Sequence, residues 1–184
     1  DDKPNVFRKI ANSSAPANES DWEDFRRYYY ASCSMVDFHC GRVIEHLRSI
    51  GHLDNTLIVF YSDHGEMAGD HRMMGKHQTN YTSVLHVPAI IRYPAQVPAG
   101  SQITTTMEAV DLMPTILEAI GAEIPSSVDG TSRWLTVRGL ESSGSESVLV
   151  EFATPEGQSV KTIFTNRYKY WINELGEEVL FDLS

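Results

Sequence analysis

The chain has 184 residues, of which 41% are hydrophobic and 22% charged, a composition typical of one globular domain. Asp and Glu number 25 against 15 for Lys and Arg, and this formal charge of −10 argues against a nucleic-acid partner, because phosphate binding relies on a basic surface. No apolar run approaches the ~20 residues of a membrane span, so we expect no membrane partner either. A small anionic substrate is compatible with this charge where a metal ion or a lysine reverses the field locally.

The N-terminal part of the sequence predicts a surface segment followed by one long helix. Residues 1–23 form the predicted lead-in segment, because much of it is rich in Pro, Asn and Ser. Ser20 and Glu23 make a capping-box pattern, and apolar side chains then recur at spacings of three and four over about 24–50. Gly51 follows directly as the expected left-handed stop residue.

The two cysteines of the chain, Cys33 and Cys40, lie on this predicted helix. About two turns (~10 Å) separate them, which is too far for a disulfide bond. We therefore interpret both as small core residues.

Two short apolar runs predict strands, and a second helix follows them. Residues 56–61 are continuously apolar and rich in β-branched and aromatic side chains, as in a strand covered on both faces of a parallel sheet. A second buried strand is predicted within 85–93. Asp111 is placed to cap a helix that runs to Ile120, with Gly121 as its stop residue. A helix, a tight turn and a buried strand in this order indicate an α/β architecture.

The character of the sequence changes near its C-terminal end. Residues 140–147, Leu-Glu-Ser-Ser-Gly-Ser-Glu-Ser, predict a linker. Residues 148–184 then predict a small antiparallel β subdomain, with short alternating strands at about 148–152, 160–165, 168–172 and 178–182.

Candidate metal ligands directly follow the first predicted strand. Asp63 and His64 stand where the strand ends, at the edge of the sheet where α/β proteins bind their ligands, and Gly65 lets the backbone turn away. Asp63 offers the oxygen ligands that Ca²⁺ and Mg²⁺ prefer, whereas His64 offers a nitrogen. The residues alone leave a second interpretation open, in which Asp63 caps the next turn beside a hydrogen-bonded His64.

The stretch after this turn is rich in Gly, Met and His and contains a lysine. Lys76 is placed to neutralise an anionic group as a compact point charge, although a lone lysine is more typical of a solvated surface. Asp70, His71 and His77 are candidates for contacts that support the metal ligands or for protonation of a leaving group. A purely structural role is the alternative for each of them.

Several segments occur in the order and spacing of one known family. Over about residues 25–184 the sequence is similar to type I sulfatases of the alkaline phosphatase superfamily. The matching segments are Tyr29–Asp37, Gly41–Val43, Asp54–Glu66, Gly69–His71, Lys76, His86–Ile91, Asp111–Leu117, Asp129–Ser132, Asn166–Tyr170 and Leu180–Leu183. The resemblance implies that 24–139 is the C-terminal part of an alkaline-phosphatase-like α/β sandwich and that 148–184 is a truncated antiparallel β subdomain.

The resemblance also implies roles for individual residues. Asp63 and His64 take the places of the family's ligands to a divalent cation, usually Ca²⁺ or otherwise an ion such as Mg²⁺. Lys76 matches the catalytic lysine that contacts the substrate's sulfate group, and His71 is a further substrate-binding candidate. The histidine beside the aspartate, His64, together with His86-Val87-Pro88, is most similar to the iduronate-2-sulfatase branch.

The family's nucleophile is absent from this sequence. The resemblance implies a formylglycine made from Cys or Ser in a Cys/Ser-x-Pro-x-Arg motif, and neither Cys33 nor Cys40 is followed by that pattern. The paired aspartates that complete the family's metal site are also absent, and Tyr81-Thr82-Ser83 stands where many members have Tyr-Glu. We therefore expect the C-terminal section of a sulfuric ester hydrolase, inactive by itself, with the formylglycine in a missing N-terminal section.

The implied substrate is a sulfated small molecule or a sulfated glycan, and the implied partner is the missing N-terminal section of the same enzyme. Members of the family are usually periplasmic, secreted or lysosomal. Two alternative functions are open. One is a phosphonate or phosphate ester hydrolase of the same superfamily, and the other is a non-catalytic binding module that has lost its nucleophile.

Overall fold

The computed structural model describes residues 5–14, 18–76, 80–153 and 159–184. Its helices are α1 (Asn5–Ser14), α2 (Glu19–Ser49), α3 (Thr82–Leu85), α4 (Leu112–Ala119) and α5 (Trp134–Val137). Its strands are β1 (Ile58–Tyr61), β2 (Ala89–Arg92), β3 (Ser147–Ala153), β4 (Ser159–Thr165), β5 (Tyr168–Asn173) and β6 (Glu178–Asp182). Short 3₁₀ turns lie at Leu53–Asn55, Asp70–Arg72 and Ala109–Asp111. No helix in the described ranges is long and apolar enough to cross a membrane.

The long helix α2 is confirmed, but its predicted N-terminal cap is wrong. The cap is Asn18, whose side-chain oxygen accepts a hydrogen bond of 3.1 Å from the backbone N–H of Asp21. The Ser20 hydroxyl donates to the same Asn18 oxygen instead of capping the helix itself. At the other end Gly51 has φ 73°, and the backbone N–H of His52 reaches the carbonyl of Leu47, which is the expected left-handed stop.

The apolar stripe of α2 is exposed in this chain. Trp22 is the only residue of the helix that is buried among the described residues, whereas Val36 and Val43 of the stripe are 49% and 61% exposed. The prediction that both cysteines are core residues is also wrong here, because Cys33 is exposed and Cys40 is only half-buried. A 3.6-residue period indicates which side of a helix is apolar, but it does not indicate what covers that side.

The strands β1 and β2 pair with each other in antiparallel register, with Val59 opposite Ile91 and Phe60 opposite Ile90. The parallel pairing suggested by the apolar run 56–61 is therefore not found between the described strands. Ile90 is 61% exposed, so this two-stranded sheet is not covered on both faces by the chain itself.

The C-terminal antiparallel sheet is confirmed. It has the order β3-β4-β5-β6, and each strand pairs with the next along the chain. β3 alternates exposed and half-buried residues along its whole length, the period of a sheet with one face packed and one face solvated. Gly176, with φ 73°, lies in the hairpin turn between β5 and β6.

The core joins three parts of the chain that are far apart in sequence. Its buried members are Phe7, Met67, Met73, Tyr81, Val84, Val160 and Trp171. Phe7 contacts both Tyr81 and Trp171 through its ring, at centroid distances of 5.5 and 4.9 Å. The predicted surface character of the lead-in segment is therefore wrong at Phe7, because this side chain fills the space between the loop after β1 and the C-terminal sheet.

Asp111 does not cap α4 with its side chain as the sequence suggested. Its buried carboxylate accepts hydrogen bonds from Arg133 Nε at 2.9 Å and from the backbone N–H of Thr131 at 2.8 Å. Arg133 also donates to the hydroxyl of Ser145, inside the predicted linker 140–147, and that hydroxyl donates to Glu108. The linker segment is thus hydrogen-bonded to the helical part, while the division of the chain into domains stays a prediction.

Candidate functional site

The turn after β1 presents Asp63 and His64 side by side. The backbone N–H of His64 donates to Asp63 Oδ1 at 3.0 Å, and the hydroxyl of Ser62 donates to the His64 carbonyl at 2.9 Å. These local bonds hold the turn, while the Asp63 side chain is 85% exposed and its Oδ2 atom lies 3.6 Å from His64 Nε2. One carboxylate oxygen and one ring nitrogen therefore face the same region of solvent.

The structure brings Lys76 to the same point. Its Nζ atom lies 2.6 Å from His64 Nε2, and His64 Nδ1 lies 2.8 Å from the carbonyl oxygen of Gly65. An ammonium group can only donate, so Nε2 is the accepting nitrogen and Nδ1 carries the proton that is donated to Gly65. The Nε2 lone pair is therefore directed at the Lys76 ammonium in this structure, and a metal ion bound by Nε2 would take the place of that contact.

Gly65 allows the turn to approach the next segment closely. A Cβ atom at this position would lie 2.0 Å from the carbonyl oxygen of Ser83, so any side chain would collide with backbone. The Gly65 N–H donates to the carbonyl of Val84 at 2.7 Å, which fastens the turn that carries Asp63 and His64 to α3. Position 65, directly after the candidate ligands, must therefore be a glycine, because no side chain fits there.

The loop between Glu66 and Gly75 is closed by its own backbone bonds. Met67 N–H donates to the Gly75 carbonyl at 3.1 Å, and Gly69 N–H donates to Met73 at 3.0 Å. The Glu66 carboxylate accepts from the backbone N–H groups of Ala68 and Gly75. Both methionines are buried, so the loop is anchored on the core and carries Lys76 back to His64.

His71 and Asp70 lie on this loop but contact a different segment. The His71 ring stacks on the Tyr81 ring at a centroid distance of 4.0 Å and an angle of 16°, and the hydroxyl of Ser83 donates to the Asp70 carboxylate. His71 itself is exposed on its remaining surface. His77 lies outside the described residues.

The donor set of this chain fits one side of a divalent-cation site. Asp63 and His64 supply two donors, whereas Ca²⁺ takes six to eight oxygen ligands. In the described ranges there is no group of three or more His, Cys, Asp and Glu side chains that could hold a metal ion. Further ligands would have to come from groups beyond these residues.

Three contacting residues were not singled out from the sequence as part of this region. They are Tyr81 and Ser83, which hold His71 and Asp70, and Lys169 of β5, whose ammonium lies 4.6 Å from the Tyr81 ring centroid. A signal for Lys169 did exist, because alternation along a strand places it on the same face as Trp171, the most buried position of β5. No local pattern links Tyr81 to His71.

Comparison with known proteins identifies the family. The sequence matches the family model described as "Sulfatase" over residues 2–122 and the one described as "N-sulphoglucosamine sulphohydrolase, C-terminal" over residues 69–184. Arylsulfatase K of Xenopus laevis is 36% identical over 185 residues, which cover 94% of this chain and 34% of that protein. The chain thus spans about a third of the length of this curated relative.

Two solved structures share the fold. A protein in complex with its substrate D-glucosamine-2-N,6-O-disulfate gives a TM-score of 0.78 at 29% identity and covers 84% of this chain and 33% of that one. The phosphonate monoester hydrolase of Silicibacter pomeroyi gives a TM-score of 0.73 at 35% identity and covers 80% of this chain and 32% of that one. The "Sulfatase" model alone covers more than half of the chain, and the fold agrees with both structures; this chain therefore belongs to the sulfatase family of the alkaline phosphatase superfamily.

Proposed function

We propose that this chain is the C-terminal section of a sulfuric ester hydrolase and that it supplies the sulfate-binding lysine and part of the metal site. The observation that carries the proposal is the 2.6 Å contact between Lys76 Nζ and His64 Nε2. This contact supports the proposal because it brings an ammonium group within hydrogen-bond distance of a histidine nitrogen, beside the exposed carboxylate of Asp63.

Lys76 would act on the charge of the sulfate group. In a sulfate ester the sulfur–oxygen bond to the alcohol breaks, and an ammonium group fixed beside the sulfuryl oxygens stabilises the charge on them and on the departing oxygen. A group that is already in place needs no reorganisation when the reaction occurs. The buried methionine anchors of the loop provide that fixed position for Lys76.

Asp63 and His64 would hold a divalent cation, Ca²⁺ or an ion such as Mg²⁺. When bound, the cation supplies polarisation of the sulfuryl oxygens. The contribution of this chain is the orientation of the two ligands, because the Gly65 carbonyl fixes the His64 tautomer and the His64 N–H fixes the Asp63 carboxylate.

The nucleophile would come from the N-terminal section of the same enzyme, as a formylglycine. The exposed apolar stripe of α2 and the uncovered sheet β1-β2 support such a partner. Val43 of the stripe and Ile90 of β2 are each more than half exposed, and large apolar patches on a protein surface are typical of a contact region. The chain also spans only 34% of its relative arylsulfatase K, so most of that relative has no counterpart in this chain.

The proposed substrate is a sulfated small molecule or a sulfated glycan. A structural relative was solved with a sulfated glucosamine as its substrate, which supports this class. The finer assignment to the iduronate-2-sulfatase branch rests on His64 and on His86-Val87-Pro88 alone. The similarity to a phosphonate monoester hydrolase, at 35% identity, supports hydrolysis of phosphonate monoesters as a second candidate reaction.

The test is a comparison of substrates and of matched lysine variants in an enzyme that contains this chain and an N-terminal section. We expect turnover of sulfate monoesters to exceed that of phosphonate monoesters and phosphodiesters. Lys76→Met should lower kcat/KM by about 10²–10³-fold, the usual effect of removing one group that stabilises transition-state charge. Lys161→Met, at an exposed lysine of β4 paired with Glu151, is the control and should retain activity.

Preferred turnover of phosphonates would select the second candidate function, and unchanged activity of Lys76→Met would contradict the role of this lysine. For the 184-residue chain by itself we expect no turnover of a chromogenic aryl sulfate, since the sequence has no Cys/Ser-x-Pro-x-Arg motif. Turnover by the purified chain would overturn the assignment of the nucleophile to another section. Binding of sulfated ligands without turnover in the longer enzyme would favour a non-catalytic module.

A further inference from the structure

The segment Asn80–Val84, here called the strut, connects the candidate site to the C-terminal sheet. On the site side, the Val84 carbonyl accepts from Gly65 and the Ser83 hydroxyl donates to Asp70. On the sheet side, the buried side chain of Asn80 donates to the hydroxyl of Thr162 at 2.8 Å. The strut thus has fixed contacts in both directions.

Lys169 of β5 contacts the strut through the ring of Tyr81. Although it is a lysine, it is only 3% exposed, and its ammonium lies 4.6 Å from the Tyr81 ring centroid, 5.0 Å from that of Phe181 and 5.5 Å from that of Phe164. The negative faces of aromatic rings attract a cation and offset part of the desolvation that burial imposes. A cation held among three rings fixes the orientation of each ring relative to it.

His71 needs support from outside its own loop. His71 and Arg72 have φ angles of 53° and 60°, in the left-handed region that disfavours residues other than glycine. Two such residues in succession persist only where surrounding contacts fix them. The parallel stack of His71 on Tyr81 is such a contact, and His71 is an exposed residue of the loop that carries Lys76.

We propose that Lys169 is a positioning residue for His71: its ammonium orients the Tyr81 ring, and this ring holds the exposed imidazole of His71 in place for the substrate. The C-terminal sheet would in this way set the position of a side chain on the loop of the site. The role of His71 toward a sulfated substrate rests on the function proposed above, whereas the link from Lys169 through Tyr81 to His71 does not.

The link can be measured by NMR on the enzyme that contains this chain and an N-terminal section, without any activity. The Cε1–H signal of His71, assigned with His71→Gln, should be displaced by the ring current of Tyr81 from its position in the urea-unfolded chain. Lys169→Met keeps the length and the apolar stem of the side chain but removes the charge, and we expect it to move the His71 signal toward the unfolded position. Tyr81→Leu should do the same, and Tyr81→Phe, which keeps the ring, should not.

Lys161→Met of β4 is the matched control, because it removes an exposed lysine of the same sheet and should leave the His71 signal unchanged. Unfolding curves and the fluorescence of the buried tryptophans show whether each variant is folded. A folded Lys169→Met variant with an unchanged His71 signal would overturn the proposal. If Lys169→Met does not fold, an unchanged signal in folded Tyr81→Leu would overturn it equally.

The enzymatic consequence is measured separately, in the enzyme that contains an N-terminal section. Lys169→Met should raise KM for a sulfate ester between tenfold and 10²-fold, with a smaller change in kcat, because a misplaced binding group weakens the productive pose. Rescue is expected in Lys169→Arg, which retains a cation. If the parent enzyme does not hydrolyse sulfate esters, the proposed function fails, while the NMR result still decides the link between Lys169 and His71.

Discussion

Asn80 donates a hydrogen bond of 2.8 Å to Thr162, a residue 82 positions further along the chain. Both residues are buried, and Asn80 has φ 49°, a left-handed conformation that asparagine tolerates better than most residues. This single polar contact fastens the segment before α3 to the middle of β4. Asn80 directly precedes Tyr81, so this hydrogen bond connects the candidate site to the C-terminal sheet.

Thr162→Val should therefore destabilise the chain by about 1–3 kcal/mol, because it removes a buried hydrogen-bond partner while keeping the shape of the side chain. Urea unfolding of the variant and of wild type measures this difference. Thr104→Val is the matched control, at an exposed threonine in a loop, and should change stability by less than about 0.5 kcal/mol. Equal effects of the two substitutions would contradict a special role of the Asn80 contact.

Arg133→Met should be among the most destabilising substitutions in the chain. The Arg133–Asp111 ion pair is largely buried, with side-chain exposures of 12% and 3%, and its removal leaves a buried carboxylate without this cation. The expected loss is about 3–5 kcal/mol. Arg167→Met breaks an exposed pair with Asp182 at 3.0 Å and should cost about 1 kcal/mol or less. Chemical denaturation of both variants gives the ranking, and the reverse order would show that the network around Asp111 is not a stabilising centre.

Gly65→Ala should distort the turn that follows β1. The new Cβ atom would lie 2.0 Å from the carbonyl of Ser83, so the turn that carries Asp63 and His64 must shift away from the strut. Gly41→Ala is the control, since no atom lies within 4 Å of its Cβ position on α2 and alanine favours a helix by about 1 kcal/mol. We expect Gly65→Ala to be less stable than wild type and Gly41→Ala to be more stable, measured as thermal midpoints. A Gly65→Ala variant with the wild-type midpoint and unchanged His64 NMR signals would show that the close approach is dispensable.

Lys169 should make the stability of the chain depend on pH. Burial lowers the pKa of Lys169 from 10.5 to about 8, so below pH 8 the lysine is charged in both states and the folded state bears the full cost of burying the charge. Between pH 8 and 10.5 only the unfolded state binds the proton, and stability therefore rises with pH. This rise should be on the order of 3 kcal/mol relative to Lys169→Met, in which the titration is absent.

The measurement is the unfolding free energy of wild type and Lys169→Met at several pH values across that window. Taking the difference between the two proteins cancels the titration of tyrosines and other lysines. Lys161→Met, at an exposed site, should run parallel to wild type. A constant difference between wild type and Lys169→Met from pH 7 to 10.5 would show that the Lys169 pKa is not lowered by burial.

Local sequence patterns were sufficient to predict the C-terminal antiparallel sheet and the helical conformation of α2. The four strands β3 to β6 follow from alternation and from short turns, which act between neighbouring residues. The sequence suggested Ser20 as the cap of α2 whereas the structure has Asn18, because both residues are good caps and only the backbone path selects one. The core role of Phe7 could not be inferred, since its partners Tyr81 and Trp171 are distant in sequence.

The composition and order of the motifs by themselves determined the family, the α/β class and the candidate residues Asp63, His64 and Lys76, because each depends on residue type and spacing along the chain. The tertiary structure decided which of these side chains contact one another. It brought Lys76 to 2.6 Å from His64, stacked His71 on Tyr81 and buried Lys169 among aromatic rings. Such contacts join residues that loop closure brings together, and the free energy that selects them comes from packing the whole core, which no local segment of the sequence contains.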